Sequence, residues 1–314
     1  MGSYIIRRLL AFIPTLLVVS FLVFMMTRLV PGDAAAMMLG QEATTEQREQ
    51  LRQELGLDRS VTEQAITWYG NAFRGDLGHS YFLHQPVTEA LVSRLPVTLS
   101  VTLFAMFFAI VVGISAGVVA SVRHGRFLDW GVMLIAIFGL SIPVFWLALN
   151  MIFIFSVRLG WFPTGGYVPI TDGFFEYLRH LFMPSIALGL AYTALIARMT
   201  RSTMLEVLQQ DFVRTARAKG LGQRIVILRH ALRNALIPII TIIGISAGEL
   251  LAGSVITETV FNLPGVGRLI VDGVRRRDFP VVQGGILIIT LSYLLINLIA
   301  DLLYAWANPR IRYE

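Results

Sequence analysis

The segment from Arg198 to Pro238 reads RMTRSTMLEVLQQDFVRTARAKGLGQRIVILRHALRNALIP and lies between two long apolar runs. Eight of its side chains are basic, and only Glu206 and Asp211 are acidic. Because the cytoplasmic loops of membrane proteins carry an excess of arginine and lysine, we expect this segment on the cytoplasmic side. Its centre, Arg214-Thr-Ala-Arg-Ala-Lys-Gly220, predicts two short helices separated by a glycine. Such a shape suits docking into a groove on a soluble partner.

The composition is that of a polytopic membrane protein. Of the 314 residues, 55% are hydrophobic, and the mean hydropathy is +0.69. The arginines behind the net charge of +6 cluster at membrane edges, so topology explains the charge and we expect no nucleic acid partner. Cysteine is absent, and the sequence has no cluster of histidines or carboxylates that predicts a metal site.

The sequence lacks the nucleotide-binding pattern of ATPases. Its one lysine, Lys219, is followed by Gly220, whereas the P-loop pattern GxxxxGK[ST] requires serine or threonine at that position. If ATP drives this protein, another chain must hydrolyse it, and no cofactor is expected on this chain.

Six apolar runs are long enough to cross a hydrocarbon core of ~30 Å. They cover residues 9–26, 97–121, 130–157, 181–198, 235–256 and 283–306. Arg7 and Arg8 precede the first run and no cleavage site follows it, so we predict an uncleaved span. The sequence therefore predicts an all-α fold with six transmembrane helices and both termini inside. One link, 257–282, is predicted outside although it carries Arg268 and Arg275-Arg-Arg277.

Three parts follow from this pattern. Residues 1–30 form the first span, 31–96 an extracytoplasmic helical subdomain, and 97–314 a core of five spans with the basic loop at about 199–234. Within the subdomain, Thr44-x-x-Gln47 and Ser60-x-x-Glu63 resemble capping boxes and predict the starts of two helices.

Two copies of Gly-Ile-Ser-Ala-Gly match the GxSxG pattern of serine hydrolases. That nucleophile elbow requires a strand, a sharp turn and a helix, whereas both copies lie inside apolar helices. The pattern therefore favours close helix packing through Gly113, Gly117, Gly244 and Gly248. No catalytic residue is expected, and an intramembrane hydrolase using Ser115 or Ser246 is the disfavoured alternative.

The polar residues inside the spans allow two interpretations. Asn150, Glu249, Asn297 and Asp301 can form hydrogen bonds between helices, which we favour, or can line a translocation path. For a path, Glu249 is the best candidate because it lies mid-span. Ser141-Ile-Pro143 and Met183-Pro184 mark either kinks used in gating or prolines tolerated in packed helices. The central basic segment, in turn, could bind anionic lipid rather than a protein.

Several motifs carry a family resemblance. Asp211–Gly220 followed by Arg229–Pro238 resembles the coupling loop of ABC importer permeases of the dipeptide, oligopeptide and nickel group. Further marks of that group are Leu55-Gly-Leu-Asp58, Gly75-Asp-Leu-Gly-His-Ser80, Phe261-Asn-Leu-Pro-Gly-Val-Gly267, Arg277-Asp-Phe-Pro280 and Asn308-Pro-Arg-Ile-Arg312. The chain is similar to the first of the two permeases, which has a large loop between spans one and two. Arg214, Thr215 and Ala216 replace the Glu-Ala-Ala of the wider superfamily, as is usual in the peptide branch.

The resemblance implies a type I ABC importer permease in a bacterial inner membrane, with short peptides as substrates. It implies a second homologous permease, two ATPase subunits that hold ATP and Mg, and an extracytoplasmic substrate-binding protein. It also assigns ATPase coupling to Asp211, Arg214, Thr215, Ala216, Arg217, Ala218, Lys219, Gly220 and Leu221. The alternative is an ion-coupled secondary transporter that acts alone, which would need paired ionisable residues at mid-membrane depth.

Overall fold

A computed structural model describes residues 2–29, 44–54, 56 and 58–307. Residues outside these ranges include part of the predicted loop subdomain, Leu55 and Leu57 of one family motif, and the whole of Asn308–Arg312. The first half of the described chain contains α1 Gly2–Leu29, α2 Thr45–Glu54, α3 Val61–Phe73, β1 His79–Ser80, β2 Gln85–Pro86, α4 Val87–Val122, α5 Phe127–Ser141 and α6 Val144–Met151. The second half contains α7 Phe174–Leu208, α8 Asp211–Ala218, α9 Gln223–Ile225, α10 Leu232–Val260, α11 Val266–Arg276 and α12 Phe279–Ala307.

Two helices are extended by less regular turns. A π-helical segment, Ile152–Arg158, continues α6, and another, Val226–Ala231, joins α9 to α10 in one continuous helix from Gln223 to Val260. A single 3₁₀ turn, Ile170–Asp172, precedes α7. Helices thus make up nearly all of the described chain, as the all-α prediction requires.

Six spans are present if a bent helix pair counts as one. Among the described residues, five helices are long and apolar enough to cross a membrane, and Phe127–Ser141 with Val144–Arg158 gives a sixth if this pair, which bends by 104°, is counted as one span. The predicted run 130–157 is therefore not one straight helix. The bend follows from Pro143, because the residue before a proline is pushed out of the helical region. Ile142 is accordingly extended, with φ −82° and ψ 124°.

The second proline motif behaves differently. Pro184 lies buried inside α7, which continues without a break from Phe174 to Leu208. Since a proline removes one backbone hydrogen bond and not the packing around it, neighbouring helices can keep such a helix continuous. The sequence allowed the same two interpretations for both motifs. In the structure, the helix breaks before Pro143 and continues through Pro184.

The helical subdomain begins as its capping boxes predict. Thr44 and Gln47 exchange hydrogen bonds between side chain and backbone of 2.9 and 3.2 Å, and α2 follows directly. Ser60 and Glu63 form the same reciprocal pair at the start of α3. Both capping predictions are confirmed.

The chain divides into two compact units, each discontinuous in sequence. The first consists of residues 1–5, 99–263 and 293–314, and the second of residues 6–98 and 264–292. The three sequence-based parts remain a prediction, since they describe the order along the chain and not its compact units.

In the first unit, glycines mark close helix contacts. A Cβ atom on Gly117 would lie 2.5 Å from the backbone oxygen of Ala197 on α7, and one on Gly113 would lie 2.9 Å from that of Thr193. Gly244 and Gly248 of α10 face Ala300 and the ring of Tyr293 on α12 with similarly little space. All four glycines of the repeated pentapeptide therefore lie where a larger side chain would collide with a neighbouring helix.

The second unit joins segments that are distant in sequence. Its core contains Val87, Ala90, Leu91, Val266, Leu269 and Val281. The short hairpin β1–β2 pairs His79 with Pro86 and Ser80 with Gln85. Ser80 Oγ, which is buried, donates a 2.6 Å hydrogen bond to Asp278 Oδ2, 198 residues away. Two of the quoted family motifs, Gly75–Ser80 and Arg277–Pro280, thus meet through one side-chain pair.

Candidate functional site

The central basic segment forms a short helix with defined ends. Helix α8 begins at Asp211, whose carboxylate lies 3.5 Å from Arg214, and an acidic residue in the first turn opposes the helix dipole favourably. At its other end, Leu221 N donates to Ala216 O over 3.3 Å and Gly220 N donates to Arg217 O over 2.9 Å. This pair of hydrogen bonds is the Schellman motif, which ends helices at a left-handed residue. Gly220, with φ +77°, is that residue.

One face of α8 packs on the chain itself. Val213 is fully buried and Ala216 is 6% exposed, in a cluster with Met204 and Val207 of α7. Val226 and Ala231, from the start of the continuous helix Gln223–Val260, belong to the same cluster. The short helix is therefore fixed to the ends of two spans by apolar contacts rather than suspended in a loop.

The opposite face of α8 is cationic and exposed. Arg214, Arg217 and Lys219 point away from the cluster, together with Thr215 and Ala218. Phe212 and Leu221, which flank these charges, are each 38% exposed. Because aromatic and arginine side chains are enriched where proteins bind one another, this face has the composition that such a contact uses.

The structure corrects the prediction of two short helices. Only the first is short, since the second begins at Gln223 and runs without a break through Pro238 to Val260. Pro238 lies inside this helix, within the predicted apolar run 235–256. The nine predicted coupling residues lie on one short segment, but Ala216 is turned inward and Gly220 serves the helix end.

An ion pair between Asp129 and Arg201 was missed by the sequence analysis. Arg201 Nη2 donates a 2.8 Å hydrogen bond to Asp129 Oδ2, which also accepts from Gly125 N at 3.0 Å. His124 Nδ1 lies 3.1 Å from the same oxygen. The Asp129 side chain is only 4% exposed. An acid at the edge of an apolar run was the available signal, but the predicted run began one residue later, at 130.

The candidate path residues are not brought together by polar contacts. Asn150 donates to Trp146 O of its own helix at 2.8 Å, Glu249 is exposed on α10, and Asn297 is partly buried on α12. Among the described residues, no hydrogen bond joins any two of these three side chains. Asp301 is likewise partly buried on α12. Their role in a path remains a prediction.

The two GxSxG matches and the possible metal ligands can be located within the described part of the chain. Ser115 and Ser246, the serines of the two GxSxG matches, lie within helices α4 and α10 rather than on a strand-to-helix turn. In the residues that the structure describes, no group of three or more His, Asp or Glu side chains could hold a metal ion.

The sequence matches two family models that together cover nearly the whole chain. Residues 109–313 match the binding-protein-dependent transport system inner membrane component, and residues 1–102 match the N-terminal part of such membrane components. The chain belongs to this family. It is therefore a multi-pass membrane protein and a permease component of a transport system, as the resemblance of its motifs predicted.

Relatives over the full length support the same assignment. The chain is similar to the glutathione transport system permease protein GsiC of Escherichia coli (strain K12), with 45% identity over 314 residues and all of both chains covered. It is also similar to the di/tripeptide transport system permease protein DppB of Pseudomonas aeruginosa (strain UCBPP-PA14), with 43% identity over 335 residues and full coverage of both.

A solved transporter has the same fold. A chain of the MetNI methionine ABC transporter, in an inward-facing conformation, superimposes with a TM-score of 0.55 at 21% identity. The match covers 69% of this chain and 96% of the other. The type I importer permease fold predicted from the motifs is confirmed.

Proposed function

We propose that this chain forms half of the translocation pathway of an ATP-driven importer for short peptides. The observation that carries the proposal is helix α8, whose cationic outer face is flanked by the exposed side chains of Phe212 and Leu221. Two full-length relatives are named as glutathione and di/tripeptide permeases, which supports peptides as the substrate class. Membership of a binding-protein-dependent inner membrane family supports a bacterial inner membrane and an extracytoplasmic binding protein.

The proposed assembly contains this chain, a second homologous permease, two ATPase subunits and the binding protein. Helix α8 enters a groove on one ATPase, which holds ATP and Mg. Arg214, Arg217 and Lys219 meet acidic groups at the rim of that groove or lipid phosphates nearby. This places α8, the loop at Arg123–Arg126 and both termini inside, and residues 158–180 and 257–282 outside.

The packing of α8 explains how such docking can move the spans. Because Val213 and Ala216 lie in one cluster with residues of α7 and of the helix Gln223–Val260, a displacement of α8 moves the ends of both spans. Closure of the ATPases on ATP would pull α8 and its counterpart together. The spans would then change between two packed arrangements, which gives alternating access.

Purification of the chain from its native membrane in mild detergent tests the assembly. We expect a second permease and ATPase subunits with P-loop sequences to remain bound, as identified by mass spectrometry. A chain that is isolated alone and transports after reconstitution would contradict the proposal and favour the ion-coupled transporter. That alternative requires an ionisable partner for Glu249, and among the described residues the side chain of Tyr192 interacts with it electrostatically.

A further inference from the structure

Residues of the second unit form a half-open cavity of about 250 Å³. Its walls come from Phe82 and Leu83 after strand β1, from Arg94 near the start of α4, and from the exposed face of α11. That face carries Arg268, Asp272 and Arg276. On the proposed topology, the cavity opens on the extracytoplasmic side.

The charges around the cavity are not all matched. Three guanidinium groups and two carboxylates line it. Asp278 is held by its own fold through Oδ2, which accepts hydrogen bonds from Ser80 Oγ at 2.6 Å and from Phe82 N at 3.3 Å, whereas its buried Oδ1 has no hydrogen-bond partner among the described residues. Asp272 lies 3.8 Å from Arg268 Nε. An excess of one positive charge therefore remains around the cavity, with the charge of Asp272 shared between Arg268 and Arg94.

Arg94 is the group that points to a ligand. Its side chain is partly buried, and among the described residues its guanidinium forms no hydrogen bond and no close ion pair, although the Asp272 carboxylate attracts it through space. A guanidinium carries five N–H donors in a fixed plane, and burying such donors without partners is costly. An acceptor that enters the cavity would relieve this cost.

Arg276 lines the same cavity, where its guanidinium packs against an aromatic ring. Its guanidinium carbon lies 3.3 Å from the centroid of the Phe82 ring, a cation–π contact. Stacking uses the face of the guanidinium and leaves its N–H edge available for an acceptor. Two arginines whose donors are available suit a carboxylate, which matches the planar fork of each.

The other side chains that line the cavity indicate which kind of anion can bind there. Leu83, Leu269 and Val281 supply an apolar wall, which suits an anion attached to carbon rather than a free inorganic ion. Asp272 and Asp278 repel a dianion such as phosphate, and an excess of one charge suits a monoanion. We propose that this cavity binds the C-terminal carboxylate end of a short peptide, an inference that rests on the peptide permease function proposed above.

The proposal also accounts for the basic link that contradicted the topology rule. Arg268 and Arg276 belong to the cluster in residues 257–282 that is predicted outside in spite of its charge. Amphipathic helix α11 buries Val266 and Leu269 and turns these arginines outward. A binding role for the exposed arginines gives a reason for cations at that face.

Direct titration of the full chain in lipid nanodiscs, without binding protein or ATPase, tests the site. The probe is dialanine, compared by calorimetry with dialanine amide, which lacks the carboxylate. We expect about tenfold weaker binding of the amide and about tenfold weaker binding of dialanine to Arg94→Gln, the effect of losing one charge-assisted hydrogen bond. Arg74→Gln is the matched control, since Arg74 is exposed in the same unit and does not line the cavity.

A second variant, Arg276→Gln, keeps the test valid if Arg94→Gln fails to fold, because it removes the other available cation from an exposed position. Equal binding of dialanine and its amide, or unchanged binding by both variants, would overturn the proposal. Inorganic phosphate that competes as strongly as dialanine would overturn it in favour of a general anion site. Arg94→Gln could bind dialanine normally but fail to co-sediment with the binding protein. That result would contradict the proposal and indicate that the cavity binds an acidic side chain of the binding protein.

ATP-driven uptake does not enter this measurement, so the two proposals can fail separately. The assembled chain could show no ATP-dependent transport while dialanine binding still depends on Arg94. That result would support the proposed binding site in the cavity and contradict the importer proposal. ATP-dependent transport without carboxylate-dependent binding of dialanine would support the importer and contradict the proposed binding site in the cavity.

Discussion

Gly220 ends α8 in a conformation that other residues adopt at a cost. Its φ of +77° lies in the left-handed region, and no atom lies within 4 Å of a Cβ built there. Strain of about 1–2 kcal/mol for a residue with a side chain, and more for a β-branched one, is therefore set by the backbone and not by crowding. The helix end and the direction of the chain toward Gln223 depend on this residue.

We expect Gly220→Val to abolish ATP-driven uptake while the chain stays in the membrane, because it disturbs only the end of α8. Uptake into proteoliposomes and the amount of chain in the membrane fraction measure the two effects. Gly222→Val is the matched control, since Gly222 has φ −60° and open space around its Cβ position. Normal uptake by Gly220→Val would count against a coupling role for α8.

The Asp129–Arg201 pair gives a second prediction for single residues. Asp129→Asn leaves Arg201 without its charge partner in a largely buried site, and we expect a loss of roughly 3 kcal/mol in the free energy of unfolding. Thermal unfolding in detergent should show a clearly lower midpoint. Glu176→Gln removes an ion pair whose two side chains are about half exposed, and it should cost less than about 1 kcal/mol. Similar losses in both variants would contradict the structural role of Asp129.

The two faces of helix α8 have different functions. Its inner face fixes it to α7 and to the helix Gln223–Val260, and its outer face is available to a partner. Neighbouring residues in the sequence therefore have opposite roles, since Val213 is fully buried and Phe212 is 38% exposed.

We expect Phe212→Asp to leave the chain folded but to remove the ATPase subunits from the purified complex. Val213→Asp buries an unpaired charge in the cluster under α8 and should destabilise the chain itself. Quantitative mass spectrometry of bound ATPase, with the melting midpoint of each variant, distinguishes the two outcomes. Retention of the ATPases by folded Phe212→Asp would exclude the outer face of α8 as the docking surface.

For the molecule as a whole, the source of energy is the decisive property. In proteoliposomes that contain all proposed subunits, we expect peptide uptake to require ATP on the side of the ATPases and to persist when an uncoupler abolishes the proton gradient. Uptake that follows the gradient and ignores ATP would contradict the importer and support ion coupling through residues such as Glu249.

Much of the architecture could be predicted because it depends on local patterns. Runs of apolar residues must be helical in a membrane, where each backbone polar group needs an internal partner. Five of the six runs correspond to single spanning helices and the sixth to a bent pair, and the capping-box patterns at Thr44 and Ser60 predicted two helix starts. The ends of the helices were predicted less accurately than their existence, since α4 begins at Val87 and not near residue 97. Pro143 and Pro184 show the limit, because a proline breaks a helix or is tolerated depending on its neighbours.

The amino-acid sequence by itself determined the class of the protein, its spans, its basic central segment and the motifs that place it in its family. These features depend on composition and on residues close together in the chain. Only the tertiary structure decided which face of α8 is buried, that Asp129 pairs with Arg201, and that Ser80 meets Asp278 across 198 residues. The cavity around Arg94 belongs to the same group. Such contacts join residues far apart in sequence, and the packing that brings them together leaves no periodic pattern from which it could be read.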